Sequence, residues 1–210
     1  MEILKKISLL IVAFTISINL SAQKTQEKLQ EAFKNSYSYE SRGDYVNAIK
    51  QIKNIYDDNS YDVNLRLGWL NYIAGNFTES ISYYEKALKL MPMSEEARMG
   101  YVLPASALGN WDAVLNKYLE ILKTNPYNTL VLYRVGLIYY GKEQYSQAYS
   151  YFEKVVNLYP FSYDGLLMFA WTNLKLGKNR EAKALFNKVL LLSPDDTSAK
   201  EGLQSIKKLL

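Results

Sequence analysis

The chain alternates between stretches of about a dozen residues rich in apolar positions and short interruptions of two kinds. Prolines recur every 34 residues, and two positions after each one stands a polar residue, giving Ser94, Asn128, Ser162 and Asp196. Such residues begin helices, because their side-chain oxygens accept hydrogen bonds from the first-turn amides. Glycines 43, 75, 109 and 177 interrupt the period a second time, and Glu143 stands where a fifth is expected. The pattern predicts an all-α chain with two helices in each period.

Residue size also follows the period. The early helix of a period carries a small residue such as Gly68, Gly136 or Ala170, and the late helix carries a large one: Tyr84, Tyr118, Phe152 or Phe186. We expect the small residues to let paired helices approach closely and the large ones to fill the space between neighbouring pairs. Pro104 breaks this regularity, because it falls inside a predicted helix and is expected to bend it.

A helix–turn–helix period of 34 residues with these small, aromatic and closing proline positions resembles the tetratricopeptide repeat. The resemblance covers about residues 27–196, and repeat three is its most divergent part. It implies a right-handed α-solenoid of about five repeats that ends in a capping helix. The expected boundaries are 29–60, 61–94, 95–128, 129–162 and 163–196 for the repeats and 197–210 for the cap, all within one domain of residues 24–210.

Residues 1–23 have the form of a secretory signal peptide. Lys5 and Lys6 precede a 14-residue apolar stretch, Ile7 to Leu20, which is followed by Ser21-Ala22-Gln23. We therefore expect export to the periplasm or the extracellular space, with cleavage after Ala22 or Gln23. An uncleaved N-terminal anchor is the alternative, whereas a lipoprotein anchor requires a cysteine that the chain lacks.

Composition restricts the possible chemistry. The 210 residues include no cysteine and no histidine, which excludes thiolate and imidazole catalysis and the metal sites built from them. The 25 basic and 21 acidic residues are interspersed, so no basic patch indicates nucleic acid. We expect no cofactor, no metal and no enzymatic activity. Weaker alternatives are calcium ligation by Asp57-Asp58 or Asp195-Asp196, a nucleophile at Ser205, and a carboxylate-based hydrolase.

The resemblance implies that the first helices of the repeats line a concave groove that binds a protein partner. The residues expected there are apolar or aromatic: Phe33, Tyr37, Leu65, Trp69, Tyr72, Met99, Leu103, Tyr133, Leu137, Tyr140, Leu167 and Trp171. Asp62, Glu96 and Asp164 form an expected acidic edge, with Lys175 as the only basic residue. Packing of these residues against neighbouring first helices, or against the chain's own tail, is the alternative.

These features predict a non-catalytic scaffold that binds an apolar segment of another protein. Aromatic residues dominate the energetics of protein interfaces, and a long exposed apolar strip would be a liability without a partner. A homo-oligomer whose groove is filled by a second copy is the alternative function.

Overall fold

The computed structural model describes residues 25–208, and within that range it is helical with no strand. The helices are α1 (residues 25–40), α2 (Tyr45–Lys53), α3 (Tyr61–Ile73), α4 (Phe77–Leu90), α5 (Glu95–Ala107), α6 (Trp111–Thr124), α7 (Thr129–Gly141), α8 (Tyr145–Leu158), α9 (Tyr163–Lys175), α10 (Asn179–Leu192) and α11 (Thr197–Lys208). None of these helices is long and apolar enough to cross a membrane. The predicted signal peptide, residues 1–23, lies outside the described residues.

The chain divides into two compact units between Leu108 and Gly109. The first unit contains α1 to α5, and the second contains α6 to α11. From α2 onward, helices that follow one another within a unit pack against each other and are joined by short turns, as the sequence pattern predicted.

The predicted helix starts are confirmed. The side chains of Ser94, Asn128 and Ser162 accept hydrogen bonds from the amides three residues later, at 3.0, 3.1 and 3.3 Å. Asp196 does the same for Ala199 at 2.6 Å. Each of these side chains satisfies a first-turn amide that has no partner within its helix. A helix N-cap therefore recurs every 34 residues.

Left-handed backbone closes the turn between the two helices of each pair. Gly43, Gly75, Gly109 and Gly177 have φ between 72° and 80°, which glycine adopts without steric cost. Glu143 occupies the equivalent turn after α7 with a φ of 58°. The turn geometry is therefore kept where the glycine is missing, at the expense of backbone strain.

Tyr84 of α4 closes the core of the first unit, as its predicted role between helix pairs requires. Its ring lies against Gly68 of α3 and Gly100 of α5, and a Cβ on Gly100 would lie 2.2 Å from the ring. Gly100 is thus required for close approach. Helix α5 continues through Pro104 to Ala107, and the bend expected there remains a prediction.

In the second unit, Phe152 and Phe186 have the corresponding role. Both are fully buried, Phe152 against Gly136 and Phe186 against Gly202. A Cβ on Gly202 would lie 2.2 Å from Phe186. Helix α11 therefore packs closely on α9 and α10 and contributes to their core, with Ala199 and Ile206 buried beside Phe186.

Candidate functional site

A cavity of about 930 Å³ opens in the first unit between α1, α3 and α5. Residues Phe33, Tyr37, Leu65, Trp69, Met99 and Leu103, six of the predicted groove residues, line it. The seventh predicted residue of this unit, Tyr72, is not among the lining residues and packs between Trp69 and Phe77, with ring centroids 5.8 and 6.0 Å away. The first unit thus gathers predicted groove residues from three helices around one concave surface.

Helical spacing explains why these residues share the cavity. Leu65 and Trp69 are four residues apart on α3, and Met99 and Leu103 are four apart on α5. Residues at this spacing lie on one face of a helix. The opposite face of α3 carries Val63, Leu67 and Leu70, which are buried in the core of the unit. An apolar cavity of this size, formed by packed helices, is the kind of concave site that binds ligands.

A buried cation that the sequence analysis did not anticipate borders this cavity. Arg66 is only 6% exposed and forms a salt bridge with Glu40 at 2.6 Å. Its guanidinium also donates to Ser36 Oγ at 3.0 Å and lies 3.8 Å from the centroid of the Tyr37 ring. The expectation that Lys175 is the only basic residue of the predicted surface is therefore wrong. Repeat register places Arg66 next to Leu65, but it cannot show that the side chain reaches back to α1.

The same carboxylate fixes the orientation of Trp69. The indole Nε1 donates to Glu40 Oε1 at 2.6 Å, while the side chain remains 37% exposed. The indole donor is thus satisfied inside the unit, so only the apolar part of the Trp69 ring is free for further contacts. A side chain held in place before binding loses less conformational freedom when a partner arrives.

The predicted groove residues of the second unit are more involved in packing. Trp171 lies edge-on to Phe186 with a centroid distance of 5.2 Å, and its Nε1 donates to Ser198 of α11 at 2.9 Å. Leu167 packs against the same core cluster. Leu137 is half-buried, and Tyr140 lies edge-on to Tyr145 at 5.3 Å.

Tyr133 lines a smaller cavity of about 630 Å³ on the second unit. Its partners there are Leu130, Leu158 and two residues beside Pro160, namely Tyr159 and Phe161. The last two are exposed, and they follow α8 rather than lying on a first helix of a repeat. Groove-position counting therefore missed them. Their only sequence signal is that two large aromatics flank a turn proline.

The acidic residues considered as calcium ligands have structural partners. Asp57 accepts a hydrogen bond from the Asn59 amide at 2.9 Å, and Asp58 pairs with Lys86 at 2.8 Å. Hydrogen bonds from Lys86 and Tyr56 hold the pKa of Asp58 below its usual range. Within residues 25–208, no three acidic side chains cluster as a metal site.

At the other predicted positions, the side chains also serve the fold. Asp195 pairs with Lys200 at 2.9 Å, and Asp196 caps α11. Ser205 donates to the carbonyl of Glu201 at 2.9 Å, one turn earlier in its own helix. Each of these side chains thus has a partner that explains its place without a catalytic or metal-binding role.

Comparison with known proteins indicates one repeat class. Tetratricopeptide repeat family models match residues 61–94 and 139–206. The TPR repeat-containing protein YpiA of Bacillus subtilis (strain 168) is 23% identical over 172 residues, which are 80% of this chain and 40% of that protein. The chain thus spans less than half the length of this relative.

Solved structures show the same architecture. A tetratricopeptide repeat protein from Parabacteroides merdae ATCC 43184 superposes with a TM-score of 0.74 at 23% identity, covering 87% of this chain and 73% of that one. MamA from Desulfovibrio magneticus RS-1, residues 41 to the end, gives a TM-score of 0.68 at 20% identity, covering 81% and 97%. At such identities the likeness concerns the fold.

Proposed function

Because this chain is a tetratricopeptide repeat protein, we propose that it is a non-catalytic scaffold whose first-unit cavity binds an apolar segment of a partner protein. Repeat solenoids of this class present concave surfaces for protein–protein interaction. The observation that carries the proposal is the cavity itself, in which Phe33, Leu65, Trp69, Met99 and Leu103 surround a single concave space.

Two features of the cavity support a peptide as its occupant. A volume of about 930 Å³ accommodates several side chains at once, and the lining combines aliphatic residues with rings. Trp69 and Tyr37 are the kind of aromatic anchors that dominate interface energetics. Both are already oriented by the salt bridge of Arg66 and Glu40, since Tyr37 lies under the guanidinium and Trp69 donates to the carboxylate.

Export is part of the proposal. If residues 1–23 are removed as a signal peptide, the scaffold acts in the periplasm or outside the cell, and α1 begins close to the new N-terminus. Intact-mass measurement of the protein recovered from its host tests this directly. A mass that includes Met1 would contradict cleavage.

The binding proposal is tested by photocrosslinking in the native host. A benzophenone amino acid replaces Leu103, which lines the cavity, and, as the control, Val46, which is 78% exposed on α2 of the same unit and does not line it. We expect a discrete crosslinked product from the Leu103 position alone, with a mass larger than the chain by that of a different protein.

The outcomes separate the alternatives. A product at twice the mass of the chain would assign the cavity to a second copy and so favour self-association over partner binding. Equal crosslinking from both positions, or none from either, would contradict the assignment of this cavity as the binding site.

A further inference from the structure

The first-unit cavity carries an uncompensated negative charge. Four side chains that line it are charged at neutral pH, namely Glu40, Asp62, Arg66 and Glu96. Arg66 and Glu40 neutralise each other at 2.6 Å. No lysine or arginine within residues 25–208 forms a salt bridge with Asp62 or Glu96, so two carboxylates remain without a cation.

These two carboxylates lie in the first turns of α3 and α5. The hydroxyl of Tyr61 bonds with Ser94 Oγ at 2.7 Å and donates to Glu96 Oε2 at 3.3 Å, which links the start of α3 to the start of α5. Asp62 is the next residue after Tyr61. Burial raises the pKa of the Tyr61 hydroxyl, and the negative charges of Glu96 and Asp62 add to that effect. Asp62 and Glu96 therefore lie at the linked starts of α3 and α5.

Apolar surface begins one helical turn from each carboxylate. Leu65 follows Asp62 by three residues on α3, and Met99 follows Glu96 by three residues on α5. Residues at this spacing are neighbours on a helix surface. A lysine or arginine suits such a boundary, because its aliphatic stem packs on apolar side chains while its charged end reaches the carboxylates.

We propose that the cavity selects an apolar segment that carries a lysine or arginine, with the cation held between Asp62 and Glu96 and the apolar residues placed against Trp69, Met99 and Leu103. This proposal rests on the proposed function and adds the charge of the partner. An acidic segment is disfavoured, because it would bring like charges together at the exposed carboxylates of Asp62 and Glu96.

Peptide selection tests this without knowledge of the natural partner. A display library of random 12-residue peptides is panned against the purified protein, and the peptides retained are those that lose binding to the Trp69→Ala variant. We expect them to combine several apolar residues with a lysine or arginine. The dissociation constants of one selected peptide and of its Lys→norleucine version are then measured by fluorescence anisotropy against three proteins.

These proteins are the unaltered chain, the double variant Asp62→Asn/Glu96→Gln, and the control Glu79→Gln. Glu79 is an exposed carboxylate in the first turn of α4, in the same unit, and does not line the cavity, so its variant loses a comparable helix-dipole interaction without changing the cavity. On the unaltered chain and the control we expect the lysine peptide to bind about three- to fivefold more tightly than the norleucine peptide, which is the upper part of the range for exposed ion pairs. On the double variant that difference should fall to less than about twofold. It should also shrink on the unaltered chain at high salt.

The results distinguish the preference for a cation from apolar binding itself. Selected peptides that depend on Trp69 but carry no cation, or a norleucine peptide that binds as well as the lysine one, would overturn the charge preference and leave apolar binding intact. A library that yields no peptide dependent on Trp69 would overturn both proposals.

Discussion

Replacement of Glu40 by Gln tests whether one carboxylate organises the binding surface of the first unit. Glu40 accepts hydrogen bonds from the Arg66 guanidinium and from the Trp69 indole, both at 2.6 Å. Glutamine keeps the shape and one acceptor oxygen, but it leaves the Arg66 cation, 6% exposed, with only Ser36 and the Tyr37 ring as partners.

The size of the effect follows from burial. Complete removal of one partner from a buried ion pair costs about 3–5 kcal/mol, because the remaining charge is left uncompensated. Glu40 is 22% exposed and glutamine still accepts one hydrogen bond, so we expect Glu40→Gln to lower the free energy of unfolding of the first unit by about 2–3 kcal/mol. Arg66→Met removes the cation and should cost less, about 1–2 kcal/mol, since the carboxylate keeps the Trp69 donor.

A double-mutant cycle in urea supplies the measurement. The variant that carries both Glu40→Gln and Arg66→Met should be more stable than the sum of the two losses predicts, by about 1–2 kcal/mol. Hydrogen exchange should show the lost protection in the peptides of α1 and α3. The control is Asp195→Asn, which removes a fully exposed carboxylate paired with Lys200 and should leave the free energy of unfolding in urea unchanged.

Two results would refute the reasoning. If Glu40→Gln is as stable in urea as Asp195→Asn, the pair of Glu40 and Arg66 contributes nothing to stability despite its burial. If the losses at Glu40 and Arg66 simply add, the two residues act independently, and the carboxylate does not hold the cation.

Three further predictions follow from the packing. Glu143→Gly should raise the free energy of unfolding by about 0.5–1 kcal/mol, because it relieves a φ of 58° at some cost in chain entropy; a loss of stability in urea would contradict the strain. Gly136→Ala places a Cβ 2.6 Å from the Phe152 ring and should lower the free energy of unfolding by about 1–3 kcal/mol. The same substitution should cost little in a Phe152→Ala background, and an equal cost in both backgrounds would refute the contact. Phe152→Ala itself should lower the free energy of unfolding by about 3–5 kcal/mol, whereas Trp69→Ala should lower it by about 1–2 kcal/mol and abolish crosslinking from the cavity. The control for binding is Trp111→Ala, at an exposed tryptophan of the second unit, and equal losses of stability from Phe152→Ala and Trp69→Ala would make Trp69 a core residue.

The sequence was sufficient for the helices and their caps because those features depend on local chemistry. The side-chain oxygen of Ser94 or Asn128 accepts a hydrogen bond from the amide three residues later in the chain. The position of each cap can therefore be predicted from the sequence. The positions of small and large residues could also be predicted from the sequence, because residues like Gly136 and Phe152 stand at fixed places in each period. Six predicted groove residues of the first unit also meet at one cavity, because residues four apart on a helix share a face.

The tertiary structure alone decided how polar groups pair between helices. Arg66 finds Glu40 and Ser36 across 26 and 30 residues of chain, and nothing in a 34-residue period distinguishes that pairing from an arginine exposed to water. The indole of Trp69 is likewise committed to Glu40, which register could not show. Periodicity fixes where a residue stands in its repeat, whereas the direction of a long polar side chain depends on which acceptor the neighbouring helix brings within hydrogen-bond distance.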